Sequence, residues 1–233
     1  MRVLALETTS TSGSVAVADE TGLCAAAFLD IRVTHSERLM PQVAQCLEQA
    51  GLAIADIDLV AVSAGPGSFT GVRIGLATAK GLCAAREIPL WPVNTLDLLA
   101  HNAWGSGLPV LACIDARMDE VYAALYDTEM NPLLPPCNAL TDEFIARVTA
   151  PAVLAVGSGA LLYADKLAAA PFDVRLGLAH MHSPQATVLA SLALALPSPP
   201  VFDWDEVAAL EPYYLRRSQA EVALEVRERD GGT

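Results

Sequence analysis

Two stretches of this chain carry residue types suited to holding phosphate. In LETTSTSGS, Glu7 is followed by Thr8, Thr9, Ser10, Thr11 and Ser12. A carboxylate at a strand end, with hydroxyls and backbone N–H groups in the next turn, could hold a metal–phosphate unit. The same residues also suit an ordinary polar hairpin turn. The second stretch is SAGPGSFTGVRIGLATAKGL, residues 63–82. A P-loop needs Lys followed by Ser or Thr where its helix begins. Lys80 lies far inside the helical part, so it cannot grip phosphate that way.

Two further turns belong to the same question. Asp115-Ala116-Arg117 opens a hairpin with a carboxylate and could face the Glu7 turn across a cleft. Ala116 and Arg117, however, stand where a phosphate-gripping turn would use glycine and hydroxyls. In VGSGA, Gly157 and Gly159 lie between a strand and a helix, either to let a nucleotide approach or to make a tight connection. His35, His101, His180 and His182 have no neighbouring Cys, Asp or Glu to complete a local metal set, so no metal site is expected. In THSERL, Ser36 suits a helix cap and Glu37 suits the first turn.

The glycines of residues 63–82 have a geometrical meaning. Gly67, Gly71, Gly75 and Ala79 recur every four residues, while Val72, Leu76, Ala79 and Cys83 form another stripe. In a helix, Gly71, Gly75 and Ala79 share one face. Each glycine inside an exposed helix costs roughly 1 kcal/mol relative to alanine, which is tolerable if another backbone comes close. With the apolar stripe covering a sheet, the small face is expected to meet another subunit. The preceding helix would contribute Leu39, Met40, Val43 and Leu47.

These residues need elements to position them. Apolar runs at residues 2–8, 14–19 and 23–30, separated by turn formers, predict an antiparallel meander. A helix over 36–50 follows, with Pro41 in its first turn or at a kink. A strand at 58–65, a helix over 70–85, a strand at 89–93 and a helix over 95–104 complete the order β-β-β-α-β-α-β-α. After GSGLP the order begins again. A hairpin at 110–127 and a Pro-rich third segment at 131–137 precede a helix capped by Thr141. A strand at 152–159, a helix over 160–169 and a last long helix over 183–196 finish it. The expectation is an α/β protein of two similar lobes, residues 1–105 and 106–233, with a tail at 216–233.

Composition narrows the function. The net charge of −13 makes the chain a poor holder of a nucleic-acid backbone by itself. Any RNA would therefore need a basic partner. The five cysteines are odd in number, widely spaced and set among apolar residues, as buried free thiols of a reducing compartment would be. No run reaches the about 18 apolar residues of a membrane span, and the N-terminus reads as a strand. A cytoplasmic location is expected.

Taken together, VLALETTSTSGSVAVAD, THSERLMPQVAQCLEQAGL, DLVAVSAGPGSFTGVRIGLATAKGL, PLWPVNTLDLLA and IDARMDEVYAALYD resemble the TsaB family. That family is a subunit of the bacterial machinery making N6-threonylcarbamoyladenosine at position 37 of tRNAs reading ANN codons. The resemblance is close up to about residue 126 and looser beyond. It implies the actin-like ATPase (ASKHA) fold, with two ribonuclease-H-like lobes. The related catalytic subunit TsaD carries an H-x-x-x-H metal motif after a Val-Asn pair. Here Val93-Asn94 is followed by Thr95 and Leu99 at the two histidine positions, and neither replaces imidazole. The resemblance thus implies a non-catalytic scaffold that pairs with TsaD and works with the ATPase TsaE. It reaches tRNA only through the complex and self-associates into a homodimer when alone. No cofactor is implied, with Glu7, Thr8, Thr9, Asp115 and Gly157 the remains of a nucleotide cleft that could retain weak ATP, ADP or Mg²⁺ binding. The competing expectation is a live cleft, in an ATP-dependent phosphotransferase.

Overall fold

Short apolar runs divided by tight turns pair with their neighbours, and the first three do so. In the computed structural model, which describes residues 1–30 and 35–215, β1 (Val3–Glu7), β2 (Ser12–Asp19) and β3 (Gly22–Asp30) form an antiparallel meander. Helix α1 (His35–Ala50) returns the chain so that β4 (Leu59–Ser63) lies parallel to β1. Helix α2 (Phe69–Arg86) does the same for β5 (Leu90–Val93), and α3 (Thr95–His101) follows.

The second half repeats this plan. It runs β6 (Val110–Arg117), β7 (Glu120–Tyr126), β8 (Pro132–Leu140), α4 (Thr141–Arg147), β9 (Ala152–Val156), α5 (Ser158–Leu162), α6 (Ala164–Ala168) and β10 (Asp173–Leu176). Helices α7 (Ala186–Leu194) and α8 (Trp204–Ala209) close the described chain. The sheets are ordered β3-β2-β1-β4-β5 and β8-β7-β6-β9-β10, the same topology twice.

The halves interlock through their last helices. Leu96, Leu99 and Ala100 of α3 pack on Val110, Ala112, Ala124 and Val156 of the second sheet. Ala186, Leu189, Ala190 and Ala193 of α7 pack on Val3, Ala5, Ala16, Ala18 and Ala61 of the first. The opposite face of the first sheet is covered by α1 and α2, and that of the second by α4 to α6. Each sheet is thus apolar on both faces, as strands buried on both sides require.

Several expectations need correction. Thr141 does not cap α4. Leu140 holds the cap position without a side-chain bond, and Thr141 Oγ1 donates to Asp119 O at 2.9 Å. The helix expected over 160–169 is two short helices broken at Tyr163, and the last long helix starts only at Ala186, beyond Pro184. Strand β10 and helix α8 were not foreseen, because their short, largely exposed sequences carry little periodicity. Cys24 is exposed, whereas Cys46, Cys83 and Cys113 are buried, and all five thiols are free. The side chains of the cap residues Ser36 and Glu37, and residues 216–233, lie outside the described residues. No helix among the described residues is long and apolar enough to cross a membrane.

One glycine of α2 is truly outward. Gly81 is exposed in the helix interior, and a Cβ there would meet nothing within 4 Å. Gly81→Ala should raise stability by about 1 kcal/mol in urea denaturation, since only backbone entropy is at stake.

Candidate functional site: an interlobe cleft and a helix face

A cleft of about 910 Å³ opens where the turns after β1 and β6 meet the starts of α2, α3 and α5. It is lined by the hydroxyl residues Thr9, Ser10, Thr11, Ser68, Thr95, Ser158 and Ser183, together with Asp115, Arg117, Leu99 and His182. Of the five residues expected in a nucleotide cleft, Thr9 and Asp115 line it. Glu7, Thr8 and Gly157 do not.

Glu7 is fully buried beneath the cleft. Its Oε1 accepts the Thr9 backbone N–H at 2.6 Å, the Thr9 hydroxyl at 2.5 Å and the Ser63 hydroxyl at 3.2 Å. Burial pushes its carboxyl up to about 7, against the opposing pull of these bonds. The Thr8 hydroxyl is spent on Gly71 O at 2.7 Å. Across the cleft, Asp115 Oδ1 accepts Arg117 N–H at 2.8 Å, closing its own turn. Arg117, Met118 and Asp119 all have positive φ without being glycine, a turn in which no glycine lets backbone N–H groups close on phosphate. Glu7 Oε1, the Thr8 and Thr9 hydroxyls and Asp115 Oδ1 are thus engaged within the fold, while Glu7 Oε2 is buried without a hydrogen-bond partner.

His182 is likewise tied into the fold. His182 Nδ1 accepts from Gly157 N–H at 3.2 Å and its Nε2 lies 2.9 Å from Gly177 O, so the ring is held by backbone on both sides. Gly157 is where it is because a Cβ would lie 2.1 Å from Cys113 O. Lys80 Nζ donates to Ala208 O at 2.9 Å, fastening α8 to α2.

The small face of α2 is turned inward, which corrects its expected role. A Cβ at Gly71 would lie 2.0 Å from Thr8 O, and one at Gly75 would lie 2.3 Å from Thr8 Oγ1. The close-approaching backbone is this chain's own turn after β1. Leu39, Val43, Leu47, Val72 and Ala79 are buried in the core under α1 and α2. Of the eight residues expected at a subunit interface, only Met40 is exposed, at 47%. The outward side of α2 consists of Thr70, Arg73, Ala77, Gly81 and Ala84, with Met40, Ala44 and Glu48 exposed on the neighbouring α1. These outward positions were missed, although Ala77, Gly81 and Ala84 share a helical face in the sequence.

Two sheets of identical mixed order, interlocked over a cleft, define the actin-like ATPase superfamily fold. A polyphosphate/ATP-glucomannokinase from Arthrobacter sp. strain KM has the same fold, with a TM-score of 0.53 at 11% identity, over 84% of this chain and 99% of that one. YeaZ from Pseudomonas aeruginosa is nearer, with a TM-score of 0.75 at 31% identity, covering 92% of this chain and 99% of that chain. The family model of TsaD, tRNA N6-adenosine threonylcarbamoyltransferase, matches residues 31–150. The tRNA threonylcarbamoyladenosine biosynthesis protein TsaB of Bacillus subtilis (strain 168) is 30% identical over 230 residues, 95% of this chain and 96% of that protein. The protein of the same name from Escherichia coli (strain K12) is 42% identical over 133 residues, a match spanning 56% of this chain and 57% of that protein. The chain belongs to the TsaB family.

Proposed function

We propose that this chain is a non-catalytic subunit of the machinery that makes N6-threonylcarbamoyladenosine in tRNA, docking on a TsaD-type transferase through the outward face of α2. Membership of the TsaB family along nearly the whole chain carries the proposal. The docking residues are Ala77, Gly81 and Ala84 of α2 with Met40 of α1. Small side chains on an exposed helix admit a partner helix at short distance, and Met40 supplies an adaptable apolar contact.

A catalytic role of its own is disfavoured by the residues of the cleft. Thr95 and Leu99, buried at its floor, offer a hydroxyl and an isobutyl group where the transferase relative uses imidazoles. Engagement of Glu7 Oε1 and the Thr8 hydroxyl within the fold supports a subunit with no strong need for ATP or Mg²⁺ of its own. The ATPase TsaE acts on the assembled pair, tRNA is reached only through the complex, and the site of action is the cytoplasm.

Ala77→Arg tests the docking face. Binding to the cognate TsaD, measured by calorimetry, should weaken by about a hundredfold or more, roughly 2.7 kcal/mol. The thermal midpoint should hold, because Ala77 is exposed. Modification of tRNA in a reconstituted reaction should fall in parallel. Unchanged affinity would exclude the α2 face, and full modification without this chain would exclude the function itself.

A further inference from the structure

We infer that Arg73, clasped between Phe69 and Tyr214, receives a carboxylate of the transferase partner and so fixes the direction in which a partner helix lies on α2; this extends the docking face proposed for α2 and stands only with it. Arg73 is exposed on the outward side of α2, one turn before Ala77. Its guanidinium carbon lies 3.7 Å from the centre of the Phe69 ring, and its Nε donates to the Tyr214 hydroxyl at 2.9 Å. The two rings stack with their centres 5.7 Å apart. Phe69 stands four residues earlier on the same helix, so helical spacing supplies that contact.

Tyr214 is brought from the other end of the chain by a strap. Val207 of α8 is buried in the core under α1 and α2, and Lys80 Nζ donates to Ala208 O. Beyond α8, the Tyr213 N–H donates to Ala64 O at 2.8 Å, which sets Tyr214 beside the start of α2. A surface arginine ordinarily keeps much of its rotamer freedom, whereas this one is held on two sides and loses less on binding. Phe69 and Tyr214 remain 50% and 47% exposed. An arginine between two open aromatic rings has the composition of an interface anchor.

The clasp leaves the charge itself unmatched. Nε is used, and among the described residues no carboxylate pairs with the rest of the guanidinium. In a chain with 27 acidic residues against 14 Lys and Arg, an arginine held in place without an acid is one prepared half of an ion pair. The Nη1–Nη2 edge suits a carboxylate in bidentate fashion. RNA phosphate is the poorer occupant, because a net charge of −13 repels a polyanion and the next basic residue of the helix, Lys80, is spent on α8. Ala77, Gly81 and Ala84 present a small face that reads much the same from either end. A charge at one end breaks that symmetry: a partner helix is accepted in the direction that brings its Asp or Glu to Arg73, and a reversed one leaves that acid unpaired.

Calorimetry of the full chain with cognate TsaD, at low salt and at about 1 M, tests the assignment. Arg73→Gln should weaken binding by about tenfold at low salt and by about threefold or less at the higher, where the ion pair is screened. Arg73→Lys lacks the fork and should regain little of the loss, while Tyr214→Phe, which frees Nε but keeps the ring, should cost about threefold. Thermal midpoints should stay close to that of the parent, since Arg73 and Tyr214 are both exposed. Unchanged affinity of Arg73→Gln beside the loss expected of Ala77→Arg would overturn the assignment and leave the docking face standing. A deficit equal at both salt concentrations would refute the ion pair. If Arg73→Gln instead weakened binding of tRNA to the isolated chain while TsaD binding held, the guanidinium would belong to phosphate and the assignment would fall. A chain that does not bind TsaD at all would remove both the docking face and its arginine.

Discussion

Gly71→Ala should cost about 3 kcal/mol or more of folding stability, a large loss for a single methyl group. The added Cβ would sit 2.0 Å from Thr8 O and 3.1 Å from Thr8 C, both backbone atoms that cannot rotate away. Relief means shifting α2 off the end of β1, which also strains the 2.7 Å bond from the Thr8 hydroxyl to Gly71 O. For a chain of this size the thermal midpoint should drop by roughly 6–12 °C. Gly75→Ala should be milder, because the atom it meets is the Thr8 hydroxyl, which can turn at the expense of that one bond. Paired with the stabilising Gly81→Ala, the series separates inward from outward glycines on one helix. A Gly71→Ala protein of unaltered stability would refute the inward assignment.

Glu7 should make stability fall as pH rises from mildly acidic to neutral. Burial raises its folded carboxyl from the ordinary 4.5 to about 7, so the folded chain holds a proton that the unfolded chain has already released. The benefit is complete below the unfolded value and shrinks as pH climbs. Above about 7 both states are ionised and the loss levels off, at roughly 3 kcal/mol in total. Glu7→Gln keeps the shape and removes the titration, so its stability should be flatter over this window and exceed that of the parent at pH 8. The comparison is made by urea denaturation of both proteins at several pH values. A parent that gains stability relative to Glu7→Gln as pH rises would show that Glu7 ionises readily in the fold, and would reopen the possibility of a carboxylate serving the cleft.

Much of the architecture was legible because it is written in local patterns. The runs of β1 and β2, the turn glycine at Gly22 and the glycine-led start of α2 each follow from turn chemistry and spacing. The repeated order of elements pointed to two like lobes. Where signals were short, legibility failed: β10 has four residues, α8 has six, and neither buries a stripe long enough to show a period. The phosphate-like stretch at Glu7 was ambiguous for a different reason. A carboxylate among hydroxyls reads the same whether it faces a ligand or closes its own turn, and only the direction of the side chain separates the two.

By itself the sequence determined the element order of the first lobe, the family motifs and the presence of small faces on α2, because each depends on residues near one another along the chain. The tertiary structure decided which small face is inward. Gly71, Gly75 and Ala79 satisfy helical spacing as well as Ala77, Gly81 and Ala84 do. What distinguishes them is the approach of Thr8, a residue more than sixty positions away in the chain, whose carbonyl leaves no room for a Cβ. Periodicity records that a helix has faces, and only the packing of distant strands says what each face meets.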